Sequence, residues 1–174
     1  MSSHSNIALT GFMGVGKSMV SKKLSTLLDR PVISTDAMVI ERAGMPIADI
    51  FREYGEQHFR QLEAEVIQDI GKKTGVIIDC GGGILLNPEN VTALKQHATL
   101  IYLKASPDCI LENLQKTDGF KKRPLLDVDD PLAKIKTMMT ERQAYYEQAQ
   151  MTIDADFKTI DEITESVLKA VNND

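Results

Sequence analysis

Residues 11–18 read Gly11-Phe12-Met13-Gly14-Val15-Gly16-Lys17-Ser18, and this stretch is the strongest indication of the fold class. It fits the pattern G-x-x-x-x-G-K-S/T of a phosphate-binding loop. The apolar run 6–10 before it predicts a strand, and the apolar spacing over 16–28 predicts a helix after it. Those flanks are the context that a phosphate-binding loop requires, and they disfavour a glycine-rich turn with a chance Lys-Ser pair.

The residue types of this loop suit a polyphosphate. Glycines let backbone N–H groups turn inward around phosphate oxygens, and the N-terminus of the following helix adds a partial positive charge. Lys17 can reach the β- and γ-phosphates of a nucleotide, and the hydroxyl of Ser18 can ligate Mg²⁺. The loop alone therefore predicts nucleotide binding, and it leaves open which molecule accepts the phosphoryl group.

Four further short apolar runs predict additional strands. They cover residues 31–34, 75–79, 99–103 and 151–154, and helical patterns lie between them. Apolar runs without polar alternation are typical of parallel strands that are buried on both faces. Strands that alternate with helices predict a layered α/β fold with right-handed crossovers.

Two segments are longer than simple crossovers require. Residues 36–73 hold two or three helical stretches, and we interpret 36–63 as a cap inserted at the carboxyl edge of the sheet. A glycine, a proline and a cluster of positive charge predict a mobile lid over about 116–128. The core of a single domain then consists of 1–35, 64–115 and 129–174.

The composition excludes several classes of protein. The chain has 174 residues, 43% of them hydrophobic and 26% charged, with a net charge of −5. This balance predicts one globular domain and argues against general affinity for nucleic acid. Cys80 and Cys109, the two cysteines, are too few for a disulfide scaffold and indicate a reducing compartment. Because no membrane span or secretory signal is recognisable, we expect a cytoplasmic protein without a membrane partner.

Three side chains outside the loop are candidates for binding a second ligand. Arg60 and Glu63 are neighbours on one face of a predicted helix, and this spacing by itself favours a surface ion pair. Arg142 falls on the apolar stripe of a later helix, where a guanidinium needs an anionic partner, either a structural carboxylate or a ligand. Asp36 follows the second strand, where it can contact a ligand or cap the next helix.

Two loops add further candidates. Gly81-Gly82-Gly83 follows the third strand, and three glycines there permit the close approach of a ligand. The plainer alternative is a loop in which one glycine adopts a positive φ. Lys121, Lys122 and Arg123 lie in the predicted lid, which can close over phosphate charge or remain a solvated basic loop.

Together these motifs resemble those of the shikimate kinase family, and the likeness covers almost the whole chain. The phosphate-binding loop and the triple glycine both match the family pattern. The other matching segments are 47–51 and 55–60 with Glu63 in the cap, 123–126 in the lid, and the late arginine motif 141–146. A phosphate-binding loop alone is unspecific, but this combination in this order is highly specific.

The resemblance implies both a fold and a reaction. The fold is a three-layer α/β/α architecture of the nucleoside-monophosphate-kinase type, with a five-stranded parallel sheet in the order 2-3-1-4-5. The reaction is transfer of the γ-phosphate of ATP, with Mg²⁺, to the 3-hydroxyl of shikimate. The products are shikimate 3-phosphate and ADP, and the pathway is aromatic amino-acid biosynthesis.

The resemblance also implies roles for individual residues. Asp36 would hold the ring hydroxyls and orient or deprotonate the attacking one, so the catalytic set is Asp36, Lys17 and Arg123. The shikimate carboxylate would be held by Arg60 and Arg142 with Gly81, Gly82 and Gly83, and the ring would face an apolar wall of Ile47, Phe51, Phe59, Pro124 and Leu125. The ATP phosphates would contact Gly14, Val15, Gly16, Lys17, Ser18, Met19 and Arg123, and Lys116 takes the place of an adenine-stacking arginine.

One position departs from the family pattern. Ser34 stands where the family has the first Asp of an Asp-x-Asp motif, which assists Mg²⁺ through water. Asp79, at the end of the third strand, would lie near both Ser34 and Ser18 in the implied strand order. We hypothesise that Asp79 takes over this Mg²⁺ role through water, beside the direct ligand Ser18. The alternative is a strand-end Asp that bonds nearby backbone N–H groups.

Two other functions remain open at this point. A kinase of another small hydroxylated acid, such as gluconate, would share the scaffold, although Arg60, Arg142 and the lid motif weigh against it. A nucleotide-binding regulator without catalytic activity would keep the loop, although the intact Lys17 and Asp36 weigh against that function. Because no coiled-coil heptad is visible, a monomer is the default expectation.

Overall fold

The computed structural model describes residues 5–117, 119–120 and 123–173, without the side chain of Pro124. Its strands are β1 (Asn6–Thr10), β2 (Val32–Ser34), β3 (Ile77–Asp79), β4 (Ala98–Lys104) and β5 (Met151–Asp154). Its helices are α1 (Lys17–Leu28), α2 (Thr35–Ala43), α3 (Ile47–Ile70), α4 (Pro88–His97), α5 (Pro107–Lys116), α6 (Pro131–Tyr146) and α7 (Ile160–Asn172). Short 3₁₀ turns cover Ile84–Leu86 and Pro124–Leu126.

The strands form one parallel sheet in the order β2-β3-β1-β4-β5, which confirms the predicted fold and strand order. β1 lies in the middle, so the phosphate-binding loop opens at the centre of the carboxyl edge. β3 lies between β1 and β2, and Asp79 is level with Leu9 on one side and with Ser34 on the other. The strand ends that carry candidate residues therefore meet at one edge of the sheet.

The strand bounds follow the apolar runs closely. β1 and β5 have the predicted bounds, and β4 extends one residue further at each end. β2 and β3 begin later than predicted, at Val32 and Ile77. The two earlier residues still take part in single bonds, since Ile77 N donates to the carbonyl oxygen of Pro31 and Ile7 N donates to that of Val76. The shortening therefore reflects incomplete ladders at the strand starts.

The core lies on both faces of the sheet. β1 is buried along its whole length, and β4 is buried except for Lys104. Helix α1 packs with α7, α3 with α4, and α5 with α6 around the sheet. Burial on both faces explains why the strands lack polar alternation. Within the described ranges, no helix is both long and apolar enough to cross a membrane.

The segment predicted as a cap consists of α2 and the first part of α3, which pack against each other. Helix α3 is broken at Gly55, whose φ of +81° and ψ of 172° belong to a region that essentially only glycine adopts. Beyond the break, the helix continues past residue 63 to Ile70. The cap and the core therefore share one helix, and residue 63 is not the end of an element.

Candidate active site

The phosphate-binding loop runs from the end of β1 into α1. Gly16 caps α1 with a φ of +106°, in the left-handed region. A Cβ at Gly11 would lie 2.6 Å from the carbonyl oxygen of Leu103, so this position also requires glycine. Asn113 of α5 donates to the carbonyl oxygen of Gly14 (2.9 Å) and so holds the loop from outside. Asn113 is not predicted from the sequence, because this bond joins residues 99 positions apart and no local pattern signals it.

Lys17 folds back over the loop that carries it. Its Nζ donates to the carbonyl oxygens of Gly11 (2.7 Å) and Phe12 (3.2 Å). Burial lowers the pKa of Lys17 to about 8, the Asp79 carboxylate opposes this change, and the Arg123 guanidinium adds to it. Asp79 and Arg123 therefore lie close enough to Lys17 to act on its charge.

Ser18 connects the loop to β3. Its Oγ donates to Oδ2 of Asp79 at 2.6 Å. The backbone carbonyl of Asp79 also accepts a long bond from Oγ1 of Thr35 (3.5 Å). The Asp79 carboxylate thus meets the side-chain hydroxyl that the loop motif assigns to Mg²⁺.

Asp36 is the second residue of α2 and does not cap it. The N-cap is Ser34, whose Oγ accepts from the backbone N–H of Ala37 (3.2 Å), so the capping alternative for Asp36 is wrong. Burial raises the pKa of Asp36, and the Asp79 carboxylate raises it further, while Lys17 and Arg60 oppose the change. Positive charges from the phosphate-binding loop and from Arg60 therefore both act on Asp36.

Each residue of the triple glycine is approached by a different candidate side chain. A Cβ at Gly81 would collide with the carboxylate of Asp36, and a Cβ at Gly83 would collide with the guanidinium of Arg60. A Cβ at Gly82 would lie 3.4 Å from Nη1 of Arg142. None of the three glycines has a positive φ, so the alternative of a positive-φ loop is wrong. The glycines instead leave room for three polar side chains.

Arg60 and Glu63 form the predicted ion pair, but the pair is partly buried, so the expectation of a surface position is wrong. The Glu63 side chain is only 2% exposed, and its Oε2 accepts from Nη1 of Arg60 at 2.7 Å. Burial raises the pKa of Glu63, and the Arg60 guanidinium opposes the change. Arg60 also donates to Glu56 (3.3 Å) and lies over the ring of Phe59. Spacing on a helix does not reveal which pairs become buried, because burial depends on the elements packed around them.

Arg142, in α6, extends to the triple glycine 81–83, which is called the glycine loop below. Burial raises the pKa of Tyr146, and the nearby Arg142 guanidinium opposes this change. The Tyr146 hydroxyl donates to the carbonyl oxygen of Gly82 (3.2 Å), and its ring stacks on Tyr102. The charge of Arg142 also acts on Glu63. The two arginines therefore lie around one buried carboxylate, at the glycine loop.

The predicted lid is described only in part. Nη1 of Arg123 donates a long bond to the carbonyl oxygen of Gly119 (3.5 Å), and burial lowers the pKa of Arg123. Lys116, the last residue of α5, donates to Glu112 (2.5 Å) and is exposed. Lys121, Lys122 and the side chain of Pro124 lie outside the described residues.

The predicted apolar wall is only partly assembled. Phe59 is buried, and its ring lies 4.7 Å from the ring of Phe51, which is 38% exposed. Ile47 is half-buried and packs against the core. Leu125 in the lid and Met19 in α1 are each 60% exposed, so neither is packed against the rest of the site.

The side-chain oxygen atoms near the loop are suitable ligands for Mg²⁺. Ser18 supplies a hydroxyl that bonds to the Asp79 carboxylate, and the charge of Asp79 in turn acts on the Asp36 carboxylate. Mg²⁺ prefers oxygen ligands and is usually bound by one or two protein groups together with water and phosphate oxygens. In the part of the chain that the structure describes, no three or more His, Cys, Asp or Glu residues form a metal site by themselves. The arrangement thus fits a cation that arrives with a nucleotide.

Comparisons with known proteins agree with this geometry. The family model described as shikimate kinase matches residues 13–172. A shikimate kinase from Caldanaerobacter subterraneus subsp. tengcongensis is 44% identical over 165 residues, which are 95% of each chain.

Of two similar solved structures, one supports membership of a family and the other supports only a shared fold. The shikimate kinase from Acinetobacter baumannii, in complex with shikimate, is 30% identical with a TM-score of 0.87, over 97% of this chain and 93% of that one. A gluconokinase from Sinorhizobium meliloti is 15% identical with a TM-score of 0.60, over 97% of this chain and 92% of that one, and so shares the fold alone. By its match over residues 13–172 and its identity to these relatives, the chain belongs to the shikimate kinase family.

Proposed function

We propose that this protein transfers the γ-phosphate of ATP to the 3-hydroxyl of shikimate, giving shikimate 3-phosphate and ADP in aromatic amino-acid biosynthesis. The observation that supports this most is the glycine loop 81–83, which Asp36, Arg142 and Arg60 approach side by side. The positive charge of Lys17 in the phosphate-binding loop acts on Asp36 as well. These contacts support a site in which the loop and the two guanidinium groups would flank one cleft.

On the nucleotide side, the loop neutralises charge and fixes position. Phosphoryl transfer needs little covalent help from the protein, so catalysis depends on positioning and electrostatics. Lys17 would leave the carbonyl oxygens of Gly11 and Phe12 to bind the β- and γ-phosphates. Arg123, with the lid, would approach the transferring group, and Lys116 would lie beside the adenine. Bound Mg²⁺ would offset the negative charge of the phosphates.

On the acceptor side, the two arginines would hold the shikimate carboxylate. Charge-assisted bonds from guanidinium groups are strong and directional, and Glu63 already orients Arg60 at 2.7 Å. Ile47, Phe51, Phe59 and Leu125 would face the carbon ring. This fixes the ring with its hydroxyl groups toward Asp36 and the phosphate-binding loop.

Asp36 would take the proton in the transfer step. The 3-hydroxyl oxygen bonds to the γ-phosphorus, the bond from that phosphorus to the ADP oxygen breaks, and the hydroxyl proton passes to the Asp36 carboxylate. The raised pKa of Asp36 makes its carboxylate a better proton acceptor than an exposed one.

Release of ADP from ATP in the presence of candidate acceptors tests this function. With Mg²⁺ present, we expect ADP release that depends on shikimate and that gluconate does not replace. Equal release with gluconate would favour the kinase of another hydroxy acid. Nucleotide binding without release for any acceptor would favour a regulator without catalytic activity.

We also propose that the enzyme works as a monomer in the cytoplasm, without nucleic-acid or membrane partners. Cys80 and Cys109 are free thiols and both are buried, which suits a reducing compartment. The net charge of −5 disfavours nucleic acid as a partner. Light scattering during size-exclusion chromatography tests the monomer, and a mass of twice the 19.3 kDa chain would contradict it.

A further inference from the structure

The hydrogen bond from Ser18 to Asp79 sets the direction of a hydroxyl group at the phosphate site. A serine hydroxyl has one proton and two lone pairs, and here the proton points to Oδ2 of Asp79 at 2.6 Å. The lone pairs of the Ser18 oxygen therefore remain available for a cation. A hydroxyl that donates its proton to a carboxylate is a better cation ligand than a hydroxyl without such a partner. We infer that Asp79 is a positioning residue for nucleotide-bound Mg²⁺, which orients Ser18 and supplies the negative charge beside it.

The neighbouring strand does not supply this charge. Ser34 is level with Asp79 across the β2–β3 pair, but its side chain is neutral. Its Oγ is already used to cap α2 through the N–H of Ala37. Of the two paired positions at the carboxyl ends of β2 and β3, only the one on β3 therefore carries a carboxylate.

Asp36 is less suited to this role, although Lys17 of the loop and Arg60 both act on its charge. Its carboxylate packs against Gly81. Asp79 instead bonds directly to the loop hydroxyl. Of the two carboxylates, Asp79 is therefore the one that can orient the Ser18 hydroxyl.

Nucleotide binding measured with and without metal tests the inference. It uses ATP and Mg²⁺ from the proposed function, but it needs no acceptor, so failure of the shikimate assignment would leave this test intact. The quantity to compare is the ratio of the Kd for ATP in excess EDTA to the Kd in saturating Mg²⁺. In Asp79→Asn, we expect this ratio to be about ten- to a hundredfold smaller than in the unchanged protein. Binding of ATP in excess EDTA should stay equal or become tighter, because a negative charge near the phosphates has been removed.

Moving the carboxylate by one strand is the sharper test. Adjacent strands lie about 4.8 Å apart, and Asp caps a helix as well as Ser does. The double variant Ser34→Asp/Asp79→Ser should therefore regain most of the Mg²⁺ effect. The matched control Ser34→Asn/Asp79→Ser keeps a good N-cap without the charge, and it should not regain the effect. Mn²⁺ in place of Mg²⁺, followed by electron paramagnetic resonance with ADP, gives the bound metal fraction directly.

The outcomes separate a metal role from a structural one. Loss of the metal effect alone in Asp79→Asn, with recovery only in the Ser34→Asp double variant, supports the inference. Equal weakening of ATP binding with Mg²⁺ and with EDTA would show that Asp79 merely shapes the loop. Recovery by the Asn control as well would likewise overturn the inference. If Asp79→Asn does not fold, the comparison of the two double variants decides.

Discussion

At the scale of single residues, the site depends on side chains that are held before any ligand binds. Arg60 is oriented by Glu63, and the loop carbonyl of Gly82 is held by the Tyr146 hydroxyl. Such fixed groups lose little freedom when they bind a carboxylate, which improves both affinity and position. The acceptor side is therefore more sensitive to the geometry of its arginines than to their charge alone.

Substitution of Arg142 by lysine tests this sensitivity. Lysine keeps the charge but loses the planar fork, so we expect the KM for shikimate to rise about ten- to a hundredfold. The KM for ATP should change little. Arg52→Lys is the matched control, because Arg52 is an exposed residue of the cap that pairs with Asp49. A rise in the KM for ATP as large as that for shikimate would contradict the assignment of Arg142.

The pKa of Lys17 predicts a pH dependence of nucleotide binding. Burial lowers this pKa to about 8, so the ammonium is mostly protonated at neutral pH and loses its proton as the pH rises through that value. Because phosphate binds the protonated form, we expect the affinity for ATP to be constant below a pH of about 7 and to fall above about 8. Isothermal titration at several pH values measures this.

An arginine in place of Lys17 is the control for that titration. Its guanidinium keeps its proton over the whole range, so the variant should show no fall in affinity near this pH. The same fall in Lys17→Arg would mean that another group causes it.

At the scale of elements, the break in α3 places Arg60. The break lies within the predicted cap 36–63, and the residues after it carry Arg60 and Glu63 toward the glycine loop. The backbone at Gly55 is in a region that other residues avoid, while the space around it is open. The break therefore depends on backbone freedom and not on side-chain crowding.

Gly55→Ala tests the break. We expect a loss of about 1–3 kcal/mol in the free energy of unfolding, together with a higher KM for shikimate. Gly44→Ala is the control, since Gly44 also lies in the cap region with open space but has φ +69° and ψ 18°, which other residues reach more easily. It should cost about 1–2 kcal/mol and leave the KM nearly unchanged. An equal rise in the KM for shikimate in both variants would count against the special role of the break.

The elements were predicted more completely than their contacts. The apolar runs located the strands because parallel strands buried on both faces leave that pattern in the sequence. The N-cap at Ser34 and the burial of Glu63 were not predicted, since both depend on how the chain folds around them. Asn113 and Tyr146 were missed for the same reason, because each bonds a loop far away along the chain.

At the scale of the whole molecule, the parallel sheet brings distant segments to one edge. The order β2-β3-β1-β4-β5 places Asp36, Asp79 and the phosphate-binding loop side by side, and α3 and α6 add one arginine each. The strand order was predicted through the family resemblance, because apolar runs do not specify which strands are neighbours. The lid was predicted from composition, and its approach to the nucleotide remains a prediction.

A crystal structure with ADP, Mg²⁺ and shikimate would show whether the phosphate-binding loop and the two arginines hold their ligands across a single cleft. We predict the shikimate carboxylate between Arg60 and Arg142, with its 3-hydroxyl near Asp36 and facing the β-phosphate in the loop. Shikimate bound away from either arginine, or with its 3-hydroxyl turned away from the nucleotide, would contradict the account.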